Sequence, residues 1–230
     1  MGNRAMQTGT FEQEETELIE KMLDDVDVFV DVGANIGFYT CLARSKATYT
    51  IAVEPLTQNM DYLYANLYAN GWNDVEVYPV GLARKPGLAI LYGGGTGASL
   101  LEGWAGASPL MRRTIALSTL DIVLGERFVG KKLLIKVDVE GAEYELLKGA
   151  SSTLSLTPAP IWIVEIGLAE HHPSGFNRNY ASTFDIFWKY GYESWTADNL
   201  CQSVTPASVK ECVRLRRTRF GTHNYLFIKE

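Results

Sequence analysis

The feature that most constrains the fold is a series of short apolar runs, each bounded by turn residues. The first run, Val26–Val32, is rich in β-branched residues and ends at Gly33. A run of this length and composition is typical of a buried strand rather than a helix. The same pattern recurs at Thr48–Val53, Val75–Val80, Leu133–Val137, Ile161–Glu165, Glu193–Thr196 and Tyr225–Lys229. We therefore expect these segments to form one sheet.

Helical patterns lie before, between and after most of these runs. Apolar residues at helical spacing predict helices over Glu12–Asp24, Ile36–Ser45, Asn59–Asn70, Glu143–Ala150 and Tyr180–Tyr190. Gly71 and Gly191 follow two of them and can cap a helix C-terminus. Strands that alternate with helices predict a largely parallel sheet covered on both faces. The expected fold class is therefore α/β, with a Rossmann-like, doubly wound sheet.

One region departs from this alternation. Leu88–Tyr92 and Thr114–Leu117 are predicted as strands, and the glycine-rich stretch Gly93–Gly97 lies between them. We interpret residues 88–118 as an inserted hairpin, either a lid over an acceptor site or simply a long connection. No Pro/Ser-rich linker divides the 230 residues, so we expect a single domain over 1–230, with residues 1–25 as an N-terminal helical segment.

The composition of the chain bears on the cellular compartment in which we expect the protein. No apolar run reaches the roughly 18 residues that a membrane span needs, and the N-terminus lacks a secretory signal pattern. The three cysteines, Cys41, Cys201 and Cys212, show neither a metal-ligand spacing nor a disulfide framework. We therefore expect a cytoplasmic protein with reduced thiols and no membrane partner.

Charge argues against a nucleic-acid partner. The formal net charge is −6, whereas nucleic-acid binders generally present a basic face to the phosphates. The only concentrated basic run comprises Arg214, Arg216, Arg217 and Arg219. Its alternation predicts the solvent side of a strand rather than a phosphate site.

Ligands of doubly wound sheets bind beyond the carboxyl ends of the strands, which directs attention to the loop Asp31–Gly37. A dinucleotide-binding loop has the form G-x-G-x-x-G, so that a pyrophosphate can rest on a helix N-terminus. Here Asn35 stands at the middle glycine position and Phe38 at the last. Asp31 would repel a phosphate, yet it suits a cationic ligand such as the amino group or sulfonium of S-adenosylmethionine.

The second strand ends at Glu54, which is followed by Pro55. A carboxylate at this position can accept hydrogen bonds from both hydroxyls of a ribose. Because enzymes that bind nicotinamide dinucleotides use the same contact, Glu54 alone does not identify the ligand. Together with a loop unsuited to pyrophosphate, Glu54 indicates an adenosine that carries no diphosphate.

Several stretches resemble the FkbM family of methyltransferases. They are Asp31–Gly37, Val53–Pro55, Leu117–Asp121, Ile135–Glu143, Leu147–Ala150 and Asn224–Ile228. The resemblance covers approximately residues 10 to 229, and the segment Ile135–Glu143 is its most specific part. It implies a class I methyltransferase sheet of seven strands with an antiparallel last strand. It also implies S-adenosylmethionine as the donor, S-adenosylhomocysteine as the product and, usually, O-methylation.

From the loop positions and the resemblance we predict the residues that bind the cofactor. They are Phe11, Asp31, Gly33, Asn35, Gly37, Phe38, Glu54, Pro55, Asn59, Gly81, Asp138 and Glu140. Gly81 departs from the alanine that is frequent there in the family, but a small residue is kept.

The candidate catalytic residues follow the fourth and fifth parallel strands. Asp138 and Glu165 end those strands, so both carboxylates can line one cleft, and His172 follows shortly after. One of these side chains would act as a general base for a hydroxyl. The alternatives are a divalent metal held by the carboxylates or a purely structural role. No metal ligand is assigned. An Asn/Asp-Pro-Pro-aromatic motif, usual in methyltransferases of nucleobase amines, is missing after the fourth strand.

The sequence therefore predicts a methyltransferase that uses S-adenosylmethionine and acts on a hydroxyl of a small molecule, a natural product or a glycan. A catalytically inactive cofactor-binding scaffold is one alternative, and an NAD-linked oxidoreductase is another. Homo-oligomerisation is left open.

Overall fold

The computed structural model describes residues 12–229. Its strands, in chain order, are β1 (Val28–Val32), β2 (Tyr49–Val53), β3 (Glu76–Tyr78), β4 (Gly81–Leu82), β5 (Gly87–Tyr92), β6 (Arg112–Ser118), β7 (Leu133–Val137), β8 (Ile161–Glu165), β9 (Glu193–Thr196) and β10 (Asn224–Ile228). Seven of them form the main sheet in the order β3-β2-β1-β7-β8-β10-β9. Strands β3, β2, β1, β7 and β8 pair in parallel, and β10 runs antiparallel to both of its neighbours. The predicted α/β fold is confirmed.

The α-helices connect these strands and cover the sheet. In chain order they are α1 (Gln13–Met22), α2 (Phe38–Ser45), α3 (Thr57–Ala69), α4 (Leu120–Leu124), α5 (Glu143–Leu147), α6 (Ser151–Leu154), α7 (Tyr180–Lys189) and α8 (Pro206–Leu215). Short 3-10 turns occur at Leu23–Asp25, Gly95–Gly97 and Trp104–Gly106.

Strand β1 shows why the sheet is buried on both faces. Side chains alternate along a strand, so Val28, Val30 and Val32 enter the larger core cluster, which also holds α7. Phe29 points to the opposite face and packs in a second cluster with Ile19 of α1. All five residues of β1 are buried, as expected for a central strand of a doubly wound sheet.

The predicted hairpin forms a small second sheet, in the order β4-β6-β5. Strands β5 and β6 are antiparallel, with Leu88 opposite Ala116. One side of this sheet packs on the main body, where Leu91 and Ile115 are buried against Leu56 at the start of α3. The long β5–β6 connection is thereby held beside the carboxyl ends of the main strands.

The prediction of a strand around Arg214–Arg219 was wrong. Helix α8 occupies Pro206–Leu215, so Arg214 lies in its last turn and Arg216 is its left-handed C-cap. A capping box between Thr205 and Ser208 starts the helix, with Pro206 at its first position. The alternating arginines suggested a strand, whereas the capping signal lay upstream. A second correction is smaller: α5 ends at Leu147 rather than at Ala150.

Two remaining expectations concern the thiols and the membrane. Cys41, Cys201 and Cys212 are free cysteines, and Cys212 is buried in the core. Among the helices of residues 12–229, none combines the length and the apolar character required to cross a bilayer.

Candidate active site

A cavity of about 380 Å³ opens at the carboxyl ends of β1, β2, β7 and β8. Five acidic side chains line it: Glu12, Glu54, Asp138, Glu140 and Glu165. The 3-10 turn Gly95–Gly97, from the β5–β6 connection, closes one side. A concave site at this end of the sheet is where ligands bind in open α/β folds.

The floor of the cavity depends on the close approach of two loops. Gly33, directly after β1, has a φ of +85°, and a Cβ atom placed there would lie 1.8 Å from the backbone oxygen of Asp138. The amide of Asp138 in turn donates to the carbonyl of Val32, at 2.9 Å. Only glycine combines this conformation with this contact. The loops after β1 and β7 are therefore held together at the base of the site.

Glu54 is buried at the end of β2, where backbone and side-chain donors hold it. Its Oε2 accepts from the backbone amide of Asn35 at 2.9 Å. Its Oε1 accepts from the amide of Leu56 at 2.8 Å and, at 3.4 Å, from Nδ2 of Asn59. Because each carboxylate oxygen can accept two hydrogen bonds, Oε2 keeps one free position, and Oε1 gains one only if the long Asn59 contact is released. Burial raises the pKa of Glu54 to about 7 despite these donors.

A buried lysine lies behind the cavity. Lys136, the fourth residue of β7, is 3% exposed. Its Nζ lies 3.3 Å from Oδ2 of Asp138 and 3.5 Å from Oε1 of Glu15 on α1. The same ammonium group lies 4.7 Å from the centre of the Tyr39 ring, whose hydroxyl donates to Glu12 at 2.9 Å. This cluster connects the first turn of α1 to the residue that ends β7.

Asp138 and Glu165 influence each other across the cavity. The negative charge of Asp138 is the largest cause that raises the pKa of Glu165, and burial adds to it, so that the value is about 10. The positive charge of Lys136 opposes this rise, but it does not cancel it, so Glu165 keeps its proton at neutral pH.

The β5–β6 connection forms a roof that is fixed by hydrogen bonds. The indole Nε1 of Trp104 donates to Oε2 of Glu140 at 2.6 Å, and the hydroxyl of Ser99 donates to the backbone oxygen of Glu140, also at 2.6 Å. Nδ2 of Asn59 donates to the carbonyl of Gly95 at 3.1 Å. Glu140 itself has a φ of +55°, a conformation that is uncommon outside glycine and concentrated at functional sites.

The structure brings most of the predicted site residues together. Those that line the cavity are Gly33, Asn35, Glu54, Pro55, Asn59, Gly81, Asp138, Glu140 and Glu165. Asp31, Gly37 and Phe38 do not line it. Asp31, the fourth residue of β1, is buried, and its carboxylate accepts a hydrogen bond from the hydroxyl of Thr40 at 2.6 Å. This contact joins β1 to helix α2. Phe11 lies outside the described residues.

His172 is also outside the cavity, where its Nδ1 lies 2.9 Å from the hydroxyl of Ser174. Its neighbour His171, which has a φ of +61°, lines the cavity instead. The sequence prediction named His172 rather than His171, and the structure does not place His172 at the cavity. The backbone turn that separates the two histidines leaves no pattern in a single chain.

Sequence reasoning missed Lys136 and Glu15. The only sequence signal for Lys136 is a charged residue inside a five-residue strand that is otherwise apolar. Charged side chains are rarely buried without a partner, so this position could have been marked as half of a buried ion pair. Nothing in the local sequence identifies Glu15 as its partner.

Comparisons with known proteins identify the family to which the chain is similar. The family described as methyltransferase FkbM domain matches residues 31–194. Hexuronic acid methyltransferase AglP of Haloferax volcanii is 30% identical over 154 residues, which are 62% of this chain and 58% of that protein. An uncharacterized protein of Methanocaldococcus jannaschii is 36% identical over 61 residues, 26% of this chain and 23% of that protein. The chain thus matches less than two thirds of the length of either relative.

Two solved structures are similar to this chain at low sequence identity. The ribosomal protein L11 methylase of Lactobacillus delbrueckii subsp. bulgaricus has a TM-score of 0.49 at 11% identity, covering 100% of this chain and 80% of its own. A TehB-like SAM-dependent methyltransferase of Corynebacterium glutamicum has a TM-score of 0.48 at 10% identity, covering 94% and 88%.

Proposed function

The chain belongs to the FkbM family of methyltransferases, and on that premise we propose that it transfers the methyl group of S-adenosylmethionine to a hydroxyl oxygen of a sugar or a similar small molecule. The observation that carries the proposal is that Glu54, Asp138 and Glu165 line one cavity. They lie at the carboxyl ends of β2, β7 and β8, which are parallel strands of the main sheet.

The cavity suits the donor in its charge and in its polar groups. A carboxylate-lined site favours a ligand with a sulfonium and an ammonium group, because opposite charges attract strongly in a partly desolvated cavity. Oε2 of Glu54 retains a position for a ribose hydroxyl. Oδ1 of Asn35 is buried and has no hydrogen-bond partner among the described residues, so it is available to a donor group of a ligand. When bound, S-adenosylmethionine supplies an electrophilic methyl group.

The two carboxyl groups at the ends of β7 and β8 have different roles in the proposal. We assign Asp138, which is paired with Lys136, as the general base that accepts the proton of the acceptor hydroxyl. Glu165 retains its proton and can donate a hydrogen bond to an oxygen of the acceptor. Divergent protonation of two neighbouring carboxyl groups is a common basis for such a division.

The choice of oxygen rather than nitrogen as the acceptor atom rests on this arrangement and on the family. A hydroxyl must lose its proton as it is methylated, and a positioned carboxylate provides a base for it. The name of the archaeal relative specifies a hexuronic acid methyltransferase, which supports a sugar acceptor. An NAD-linked oxidoreductase is disfavoured because Asn35 and Phe38 replace the glycines of a pyrophosphate loop.

Calorimetry with S-adenosylhomocysteine tests the donor site. We expect micromolar affinity for the wild type and at least tenfold weaker binding for Glu54→Gln. This substitution replaces the carboxylate that would accept the hydrogen bond of a ribose hydroxyl with a neutral amide. Glu126→Gln, at an exposed position that lines neither cavity, is the matched control and should bind like the wild type. No detectable binding by the wild type would refute the methyltransferase proposal.

A turnover assay then separates the enzyme from a scaffold. Release of S-adenosylhomocysteine should follow from incubation with S-adenosylmethionine and a panel of hydroxylated sugars, and Asp138→Asn should abolish this release. If the wild type binds S-adenosylhomocysteine with micromolar affinity but methylates no hydroxyl in the panel, the result would instead favour an inactive binding protein.

A further inference from the structure

A second, smaller cavity adjoins the first. It has a volume of about 90 Å³, and three of its lining residues, Glu140, Glu165 and His171, also line the larger cavity. These three side chains therefore form a shared wall. A group placed in the smaller cavity, hereafter the side chamber, lies next to Glu165, the carboxyl group proposed to hold an oxygen of the acceptor.

The remaining walls of the side chamber come from four separate segments. They are provided by Trp104, Gly141, Glu143, Gly167, Glu170 and His223. Trp104 is buried, and a Cβ atom at Gly141 would lie 2.5 Å from its ring, so the indole packs directly on the β7–α5 loop. The indole thus gives the chamber an apolar wall beside its polar side chains.

The charge of the side chamber is one-sided. Among the described residues that line either cavity, none is a lysine or an arginine. Burial raises the pKa of both Glu140 and Glu143 to about 7, and the negative charge of Asp138 adds to this rise. With Glu165 protonated, the chamber offers both donors and acceptors of hydrogen bonds, but no lysine or arginine among its described residues to balance an incoming anion.

One polar atom in the side chamber is left without a partner. Nδ1 of His223 is buried and makes no hydrogen bond within the described part of the chain. The nearest carboxylate oxygen, Oε2 of Glu170, lies 3.9 Å away, beyond hydrogen-bond distance. A buried polar atom without a partner is costly, and a hydroxyl in the chamber would supply either a donor or an acceptor.

We propose that the side chamber is the acceptor subsite and that it takes an uncharged, hydroxyl-bearing part of a sugar in preference to a carboxylate. This inference rests on the proposed function, because it places the acceptor beside the cavity assigned to the donor. The chamber would leave an anion without a counterion beside four acidic side chains, and burying an unpaired charge is strongly unfavourable. A hydroxyl group is accommodated by the same side chains at no such cost.

A matched pair of probes tests the charge preference directly. Methyl glucoside and methyl glucuronide differ only at carbon 6, which carries a hydroxymethyl group in one and a carboxylate in the other. The protein saturated with S-adenosylhomocysteine is titrated with each probe at pH 8, and the NMR signal of the Trp104 indole N–H is followed after assignment with Trp104→Phe. We expect a saturable shift with the glucoside and at least tenfold weaker binding of the glucuronide.

A filling substitution tests the location. Gly167 lines only the side chamber, and a Cβ atom there would meet Glu170 O at 3.7 Å, an ordinary contact. Gly167→Leu should therefore fold, retain affinity for S-adenosylhomocysteine within about twofold, and lose the glucoside-induced shift. Gly221→Leu, at an exposed glycine with no heavy atom near its Cβ position, is the control and should behave like the wild type.

The outcomes distinguish this proposal from the preceding one. Equal or tighter binding of the glucuronide, an unaltered shift in Gly167→Leu, or no response of Trp104 to the glucoside would each overturn the acceptor subsite while the donor site stands. Failure of the wild type to bind S-adenosylhomocysteine would overturn both.

Discussion

Nζ of Lys136 lies 3.3 Å from Oδ2 of Asp138, two residues further along the chain at the end of the same strand. Successive residues of a strand point to opposite faces and residues two apart share a face, so the lysine reaches along its own strand to the carboxylate in the cavity. Its second partner is Glu15, at 3.5 Å. The ion pair of Lys136 and Asp138 is therefore joined by a third ionisable group, Glu15 of α1.

Replacing Lys136 with methionine should destabilise the protein by about 3 kcal/mol or more, because breaking a buried ion pair leaves uncompensated charge in the interior. Urea unfolding followed by circular dichroism measures the change. Lys148→Met is the control, since Lys148 is exposed and its contact with Glu145 at 3.4 Å spans a single helical turn. Exposed pairs of this kind contribute little.

A double substitution tests the role of Glu15 in the same cluster. Adding Glu15→Gln to Lys136→Met should recover part of the lost stability, because Glu15 is then no longer a buried charge without a counterion. A double variant that is less stable than Lys136→Met would show that Glu15 stabilises the fold through another contact.

Gly33→Ala should be more costly than an ordinary glycine substitution. A side chain in the left-handed conformation costs roughly 1 to 2 kcal/mol by itself, and here the new Cβ atom would also lie 1.8 Å from the backbone oxygen of Asp138. Gly71→Ala isolates the first effect, because Gly71 has a φ of +71° and no heavy atom near its Cβ position. Thermal unfolding should show a clearly larger loss for Gly33→Ala. Equal losses would mean that the loops after β1 and β7 separate easily.

Much of the fold followed from the sequence because the central strands are unambiguous. Strands β7 and β8 have the predicted bounds, since each is a short, mostly apolar run with an acidic residue at its end or directly after it. Helix α8 was missed because its signals are local caps rather than a wide apolar stripe. Only Val209 and Cys212 of this helix are buried, so the periodicity that identifies helices is weak there.

The site was less predictable than the fold, for a physical reason. The rule that ligands bind at the carboxyl ends of parallel strands locates Glu54, Asp138 and Glu165 without any side-chain detail. The contacts of Trp104 with Glu140 and of Lys136 with Glu15 join segments that are 36 and 121 residues apart. Such pairs depend on how the roof and α1 pack, which no local spacing in a single sequence encodes.

Trp104→Phe should change the ionisation of Glu140. Burial and the charge of Asp138 raise the pKa of Glu140 to about 7, and the hydrogen bond from the indole opposes that rise. Without the donor we expect a higher pKa and a smaller ionised fraction at pH 7. Carboxyl ¹³C NMR of glutamate-labelled protein, assigned with Glu140→Gln, measures it. Trp188→Phe, which removes a donor to Ser194 instead, should leave the titration unchanged.

Stability should fall as the pH rises from 5 to 8. Burial raises the pKa of Glu15, Glu54 and Glu143 to about 7, whereas the same groups ionise near 4.5 in the unfolded chain. Between these values the folded state holds more protons than the unfolded state, so each increment in pH favours unfolding. The stabilisation is complete below about pH 4.5 and is lost as the pH passes 7. The lowered pKa values of Asp74 and Glu76 act in the opposite direction, but both groups are already ionised above about pH 5 in the folded and the unfolded state, so they add little to the change between pH 5 and 8.

Differential scanning calorimetry of the ligand-free protein at the two pH values measures this effect. We expect a melting temperature roughly 5 °C or more higher at pH 5 than at pH 8, which corresponds to about 1 to 3 kcal/mol for a domain of this size. Glu143→Gln should flatten the dependence, because it removes one titrating group while its side-chain oxygen can still accept from the amide of Gly141, as Oε1 of Glu143 does at 2.8 Å. Glu126→Gln, at an exposed position, should leave the dependence unchanged. A melting temperature that rises from pH 5 to pH 8 would mean that these carboxyl groups are ionised in the folded protein, and the proposed division of charge around the cavity would then be wrong.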